Sequence, residues 1–214
     1  MDKPVVALFD FDGTLTSRDT LPLFIRYMSG WGGLISALCK VSPQLLSLVR
    51  CKWTGRDAAA VAEAAKEMLL SRCFRGKACS ELDSRMQDFI PVIERCVSLP
   101  VAERMRQHID LGHEVAVVSA SVDVWIRPWA QRQGISRVIA TQQATEHRGG
   151  ITCYTGRFLT ANCNGVEKVA RIQAVYPKEK YHIIAYGNSR GDYPMLRYAD
   201  EAYLCRSGKI ESFI

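Results

Sequence analysis

The sequence predicts an α/β fold: a Rossmann-like, mainly parallel sheet core with an all-helical cap inserted after the first strand. Three observations carry that prediction. Short, unbroken apolar runs occur at 4–10, 114–119, 137–141 and 181–186, with a weaker one at 201–205, and such runs read as strands buried on both faces. Helical patterns separate the later runs, the alternation expected of right-handed crossovers packed on a parallel sheet. Between the first run and residue 99 only helical patterns are visible, far too much chain for a simple crossover.

The elements follow in order. The first run ends in the carboxylate of Asp10. Helical patterns at 21–28, 34–41, 45–49, 57–70 and 79–96 make the cap, with Pro43 breaking it, and the chain returns to the core near Leu99-Pro100. The expected division is a core of 1–17 and 99–214 and a cap of 18–98. Within the core, helices are expected at 99–111, 122–133, 164–176 and 191–198. Gly149, Gly150 and Gly156 mark a small hairpin at 147–158, between the third strand and the next helix.

Composition narrows the class. A chain of 214 residues, 48% hydrophobic and 23% charged, is that of an ordinary globular protein and excludes a disordered or collagen-like one. Lys and Arg number 28 against 22 Asp and Glu, a mildly basic balance that suits an anionic substrate. No basic stripe interleaved with aromatics is present, so nucleic acid is not an expected partner. The eight cysteines form no C-x-x-C pair and the four histidines no H-x-x-x-H pair, which argues against zinc. With no secretory signal in view, these thiols are expected to be reduced, in a cytoplasmic protein. No long charge-free apolar run predicts a transmembrane helix.

The chemistry-bearing residues fall at the ends of the predicted strands, where open parallel sheets bind ligands. Asp10-Phe11-Asp12-Gly13-Thr14 closes the first strand with two carboxylates spaced by two. Buried charges of this kind persist only where a cation or a substrate pairs them. Ser119, in Val117-Val118-Ser119-Ala120-Ser121, ends the second strand, where its hydroxyl can donate to a phosphate oxygen or merely cap a helix. Lys168 lies one turn into a helix after Gly165, a position that taken alone fits a solvated lysine. Gly187-Asn188-Ser189-Arg190-Gly191-Asp192 is a polar loop after the fourth strand.

Taken in this order, the four segments resemble the motifs of the haloacid dehalogenase superfamily, and the long helical insertion resembles the branch that includes phosphoserine phosphatase. The loops around Ser119, Lys168 and Asn188 look most like relatives that include a phosphatidylglycerophosphate phosphatase. The resemblance implies a Mg²⁺-dependent phosphomonoesterase. Asp10 would be the nucleophile that becomes an aspartyl phosphate, and Asp12 the general acid and base. Gly13, Thr14, Ser119, Ala120 and Lys168 would bind the transferring phosphoryl group. Asp10, Asp12 through its backbone carbonyl, Asn188 and Asp192 would hold the metal, with Asn188 standing where the family most often has an aspartate. Asp192 would act directly or through water.

The substrate is left open between a small phosphoserine-like metabolite and a lipid or polyol phosphate. In phosphoserine enzymes an acidic residue nine positions after the nucleophile contacts the substrate amine, and Asp19 occupies that place here; it is equally suited to capping the following helix. Arg26 and Arg56 are candidates for a second anionic group of the substrate. The apolar stretch 31–53, edged by Lys40, Arg50 and Lys52, fits a buried helix pair or an interfacial face that admits a lipid tail or touches a membrane. Two other functions use similar residues: a phosphotransferase or mutase, and a receiver-like phospho-binding module. The insert and the second carboxylate, Asp12, speak against the latter.

Overall fold

The computed structural model describes the backbone of residues 3–54 and 58–213, and the side chains of these except at 37, 41, 44–54, 58–60 and 62. Its central sheet has six strands: β1 (Val5–Asp10), β2 (Glu114–Val122), β3 (Arg137–Thr141), β6 (His182–Gly187), β7 (Glu201–Arg206) and β8 (Lys209–Ser212), while β4 (Gln143–Arg148) and β5 (Ile151–Phe158) pair separately. The order is β3-β2-β1-β6-β7-β8, parallel except for β8, which runs antiparallel to β7. β1 therefore lies inside the sheet, and chain order reverses beside it, between β1 and β6. That is the switch point where open α/β sheets bind ligands.

Alternation along β1 explains the two helical layers. Val6 and Leu8 face a fully buried cluster with Ile172 and Tyr176, on or just beyond α6 (Val166–Val175), and Met195 and Leu196 of α7 (Tyr193–Tyr198). Phe9 points the other way, with its ring edge on to His108 of α4 (Leu99–Asp110). α4 buries Val101, Ala102, Met105 and His108, and α5 (Asp123–Arg132) buries Trp125, Ile126, Trp129 and Ala130, the stripe expected of helices packed on a sheet.

The chain divides into two compact units, Met1–Thr20, Met86–Gln142 and Ala161–Ile214 in one, Leu21–Arg85 and Gln143–Thr160 in the other. This differs from the expected division in three places, the first being that residues 18–20 belong to the first unit. Residues 86–98 belong to the first unit, because Ser17 N–H donates to the Cys96 carbonyl (2.7 Å) and Ser98 N–H to the Leu15 carbonyl (2.8 Å). The β4–β5 hairpin belongs with the helices, so that unit is not all-helical.

In the second unit, Phe74 of α2 (Ala58–Phe74) stacks on Phe24 of α1 (Leu21–Thr54) and packs on Tyr154 of β5, both at 5.3 Å. Tyr154 is also fixed through its backbone, accepting from Gly76 N–H and donating to the Lys77 carbonyl. Gly156, at φ +78°, lies so near α2 that a Cβ there would sit 2.9 Å from Ser71 Cα. The three helices expected at 21–28, 34–41 and 45–49 form one interval, interrupted at Gly30 (φ 67°) rather than at Pro43. Among the described residues, no helix is long and apolar enough to cross a membrane, and seven cysteines are free thiols.

Candidate active site

Asp10 is the last residue of β1 and is buried. After it the chain winds through a tight turn, Phe11–Leu15, in which Asp12 is extended and Gly13 has φ 82°. Asp10 Oδ1 accepts a hydrogen bond from Lys168 Nζ at 2.6 Å and Oδ2 accepts from Thr14 Oγ1 at 2.9 Å. Lys168, on the first turn of α6, is only 1% exposed, and its Nζ also donates to Asp192 Oδ1 at 2.5 Å. The lysine that fits a solvated position in the sequence is thus a buried cation shared by two carboxylates.

Burial pushes the Asp10 carboxyl up to about 7, against the pull of Lys168, with Asp192 adding to the rise. Burial opposes charge on Lys168 too, but Asp10 and Asp192 outweigh it and hold its pKa above the ordinary lysine value. Burial likewise works against Asp192, and is outweighed by Lys168 and by hydrogen bonds from Ser189, which keep it below the ordinary carboxylate value.

Asp12 faces a different set of groups. Its Oδ1 accepts from Thr20 N–H (2.7 Å) and Thr20 Oγ1 (2.6 Å), and its Oδ2 from Ser121 Oγ (2.6 Å). Trp125 Nε1 donates to Thr20 Oγ1 at 3.1 Å, so the hydroxyl that holds Asp12 is itself held. Thr20 and Trp125 carry no motif signal, whereas Ser121 sits two residues past Ser119 and could have been found from that spacing.

Ser119 is buried within β2, where the register with β3 begins to shift, and its Oγ accepts from Ser121 N–H at 3.0 Å. Its own proton is engaged by no group among the described residues. Thr141 Oγ1 donates to the Ala120 carbonyl (2.8 Å) and accepts from Cys163 N–H (3.0 Å), tying the β2 loop to the loop that leads to Lys168. That loop in turn meets the one after β6: Gly165 N–H donates to the Gly191 carbonyl at 3.0 Å. A Cβ on Gly191 would lie 2.2 Å from Asn164 Oδ1, so a side chain there would displace the Asn164 amide.

The loop after β6 decides which groups could hold a cation. Asp192 Oδ2 accepts from Asn188 N–H (3.2 Å), Ser189 N–H (2.9 Å) and Ser189 Oγ (2.7 Å), so with Lys168 on Oδ1 both its oxygens are occupied. Asp192 is built to fix the loop and Lys168. Asn188 is built otherwise: its Oδ1 is buried and has no hydrogen-bond partner among the described residues. Its amide lies against Gly13, where a Cβ would fall 2.0 Å from Nδ2. An orphaned buried amide oxygen beside a carboxylate strand end, in an all-oxygen setting, fits a hard cation such as Mg²⁺. No cluster of three or more His, Cys, Asp or Glu suited to a metal occurs among the described residues. Any such site would therefore rest on few charged ligands.

Asp19 is exposed, two residues before α1. Arg26 is exposed and its guanidinium lies 4.0 Å over the Trp31 ring. Arg56 lies outside the described residues.

A strand-end carboxylate paired with a buried lysine, with a second carboxylate two residues on held by hydroxyls, defines an α/β protein equipped for hydrolytic chemistry on an anionic substrate. The family of haloacid dehalogenase-like hydrolases matches residues 7–197, and the chain belongs to it. Protein CicA of Caulobacter vibrioides is 30% identical over 202 residues, 93% of this chain and 85% of that protein. A Bordetella pertussis protein of unknown function has a similar fold, with a TM-score of 0.71 and 23% identity over 94% of this chain and 89% of that one. So has a phosphoserine phosphatase solved as a phospho-aspartyl intermediate analogue, with a TM-score of 0.55 and 19% identity over 94% and 86% of the two chains.

Proposed function

We propose that the protein is a Mg²⁺-dependent phosphomonoesterase that works through an aspartyl phosphate on Asp10. The observation that carries this reading is the buried Asp10–Lys168–Asp192 array at the end of β1, set apart from the hydroxyl-held Asp12. The likeness in fold to a phosphoserine phosphatase trapped as a phospho-aspartyl analogue supports it.

Asp10 Oδ attacks phosphorus, forming an acyl phosphate as the bond to the ester oxygen breaks. Asp12 gives its proton to the departing alkoxide and then takes one from the water that cleaves the acyl phosphate. Inorganic phosphate leaves and the Asp10 carboxylate is restored. Lys168 neutralises charge on the transferring oxygens, and the uncommitted Ser119 proton is donated to one of them. Thr14 fixes the Asp10 oxygen on which it bonds, leaving the carboxyl plane set for attack. Gly13 and Ala120 contribute the backbone close to the phosphoryl group. Asp10, the Asp12 carbonyl and Asn188 Oδ1 would hold Mg²⁺, with Asp192 positioning their loop. When bound, the cation screens the repulsion between carboxylate and phosphate and favours ionised Asp10.

The substrate belongs to small phosphoserine-like metabolites or to lipid and polyol phosphates, and the free cysteines suit a reducing, cytoplasmic setting. A Mg²⁺-supplemented screen of phosphoserine, sugar phosphates, nucleotides and phosphatidylglycerophosphate tests the reading. Release of inorganic phosphate from at least one is expected, and Asp10→Asn should abolish it. An Asp10→Asn protein that hydrolyses the best substrate at the parent rate removes the nucleophile. Phosphoryl transfer to an added alcohol, in preference to water, would make the protein a transferase or mutase.

A further inference from the structure

The helix-and-hairpin unit contains a cavity of about 470 Å³, formed by the end of α2 and the two strands of the hairpin. Three arginines line it: Arg75, just past α2, Arg148 of β4 and Arg157 of β5. Arg148 is paired with Glu146 at 2.9 Å, which also lines the cavity. Arg75 and Arg157 are exposed, and among the described residues no carboxylate pairs with either guanidinium. Three cations and one anion thus line a single concavity, an excess of positive charge.

The backbone shows how this is built. Between the pairs Gln143↔Phe158 and Thr145↔Tyr154, β4 has one residue and β5 has three, so β5 bulges. The bulge is pinned on both sides. Thr155 Oγ1 donates to the Ala144 carbonyl (3.1 Å) and accepts from Arg157 N–H (3.2 Å), and Phe158 N–H donates to Glu67 Oε1 at 2.7 Å. Gly156, in its left-handed conformation, brings the bulge against Ser71 of α2. The hairpin is therefore held so that Arg157 and Arg75 line the same space, with Ser71 as a further hydroxyl.

We propose that this cavity of the helix-and-hairpin unit is a binding site for a phosphate-bearing ligand. Guanidiniums recognise phosphate through paired, charge-assisted hydrogen bonds, and two without a carboxylate partner lining one cavity of this volume match a phosphomonoester or diester headgroup. The half-buried Phe158 ring offers an apolar wall for whatever the phosphate is attached to. The phosphate could come from a soluble ester or from a lipid headgroup, and both present the same oxygens.

The test is a titration of the full-length, metal-free protein with inorganic phosphate and with pyrophosphate, followed through backbone amide NMR shifts. The Gly156 and Arg157 amides report this cavity, and the Gly13 amide reports the Asp10 site. A saturable shift is expected at Gly156 and Arg157, weakened at least tenfold in an Arg75→Gln/Arg157→Gln protein whose turnover stays within twofold of the parent. Flotation with phosphatidylglycerol vesicles, against phosphatidylcholine vesicles, then separates the sources: binding lost in the double variant assigns a lipid headgroup, and phosphate binding without vesicle binding assigns a soluble ester. No saturable shift at Gly156 and Arg157, or the same shift in the double variant, overturns the proposal. Because Gly13 is read in the same titration, that failure is distinct from a failure of the phosphatase reading.

Discussion

At the strand ends Asp10, Lys168 and Asp192 are buried as charges; one residue further back along β1 and β6, Phe9 and Tyr186 are buried with His108 as a neutral set. Phe9 stacks on Tyr186 at 4.4 Å, and Tyr186 on Tyr203 at 5.0 Å. His108 Nε2 lies 2.9 Å from Tyr186 Oη, and its Nδ1 lies 2.8 Å from His113 Nδ1, so in that second contact one ring donates and the other accepts. Burial, then His113 and Arg104, push His108 down to about 4, whereas Asp10 and Asp192 hold Lys168 above the ordinary lysine value. The lesson is local. A counter-charge within hydrogen-bond reach favours the charged form of a buried group; without one, burial favours the neutral form.

The largest test of that contrast is Lys168→Met. It leaves Asp10 and Asp192 buried without their cation, a loss of about 3–5 kcal/mol for such pairs. Urea unfolding of the metal-free variant should show that drop, together with loss of turnover. A variant as stable as the parent would mean that the rim does not depend on its lysine. Next comes Asp12→Asn, which leaves the array intact and removes only the proton carrier. Turnover should fall by about 10²–10⁴-fold with unfolding nearly unchanged. The deficit should be greatest for esters of poorly leaving alcohols and smallest for a nitrophenyl ester. An equal deficit for both would deny Asp12 the role of general acid.

Much of the rim was legible because its residues lie at the ends of apolar runs. Asp10 closes β1 and Asp12 follows it, Ser119 lies in the last part of β2, Lys168 is on the first turn of α6 and the 187–192 loop leaves β6, and the order of the segments makes the pattern specific. What the sequence hid depends on side chains that meet from afar. Thr20 reaches Asp12 from 8 residues away along the chain and Trp125 reaches Thr20 from 105, and neither has a spacing to announce it. His108 reaches Tyr186 across 78 residues. The hairpin looks the same in sequence whichever unit owns it; Tyr154 against Phe74 and Gly156 against Ser71 decide. Pro43 suggested a helix break because it removes a backbone donor, yet the interruption falls at Gly30, whose positive φ no other residue adopts as readily.

The neutral layer supplies a smaller effect with a definite sign. The folded protein keeps His108 unprotonated down to about pH 4, whereas the unfolded chain takes up that proton near 6.5. Between those values the unfolded state binds more protons, so this contribution to stability is full above about 6.5 and is lost as pH falls toward 4. The whole effect amounts to a few kcal/mol at most. His108→Gln, which keeps a polar partner for Tyr186, should flatten the dependence of Tm on pH between 7 and 5. An unchanged slope would place the acid sensitivity in another group.

The smallest expected effect, and the sharpest question about the rim, belongs to Asn188. Its Oδ1 is a buried acceptor without a donor among the described residues, a few residues from an aspartate whose oxygens both accept hydrogen bonds. Asn188→Asp would place a third carboxylate beside Asp10 and Asp192, with Lys168 still the one lysine between them. Without metal, mutual repulsion should lower Tm by a few degrees. With metal the order reverses: a charged ligand binds Mg²⁺ more tightly, so half-maximal activity should come at a severalfold lower Mg²⁺ concentration with turnover retained. These two shifts have opposite signs and are measured on one protein, by metal-free melting and by Mg²⁺ titration of activity. A large loss of activity with a weaker Mg²⁺ dependence would show that the amide oxygen is not a ligand. The rim would then keep its charge through Lys168 alone.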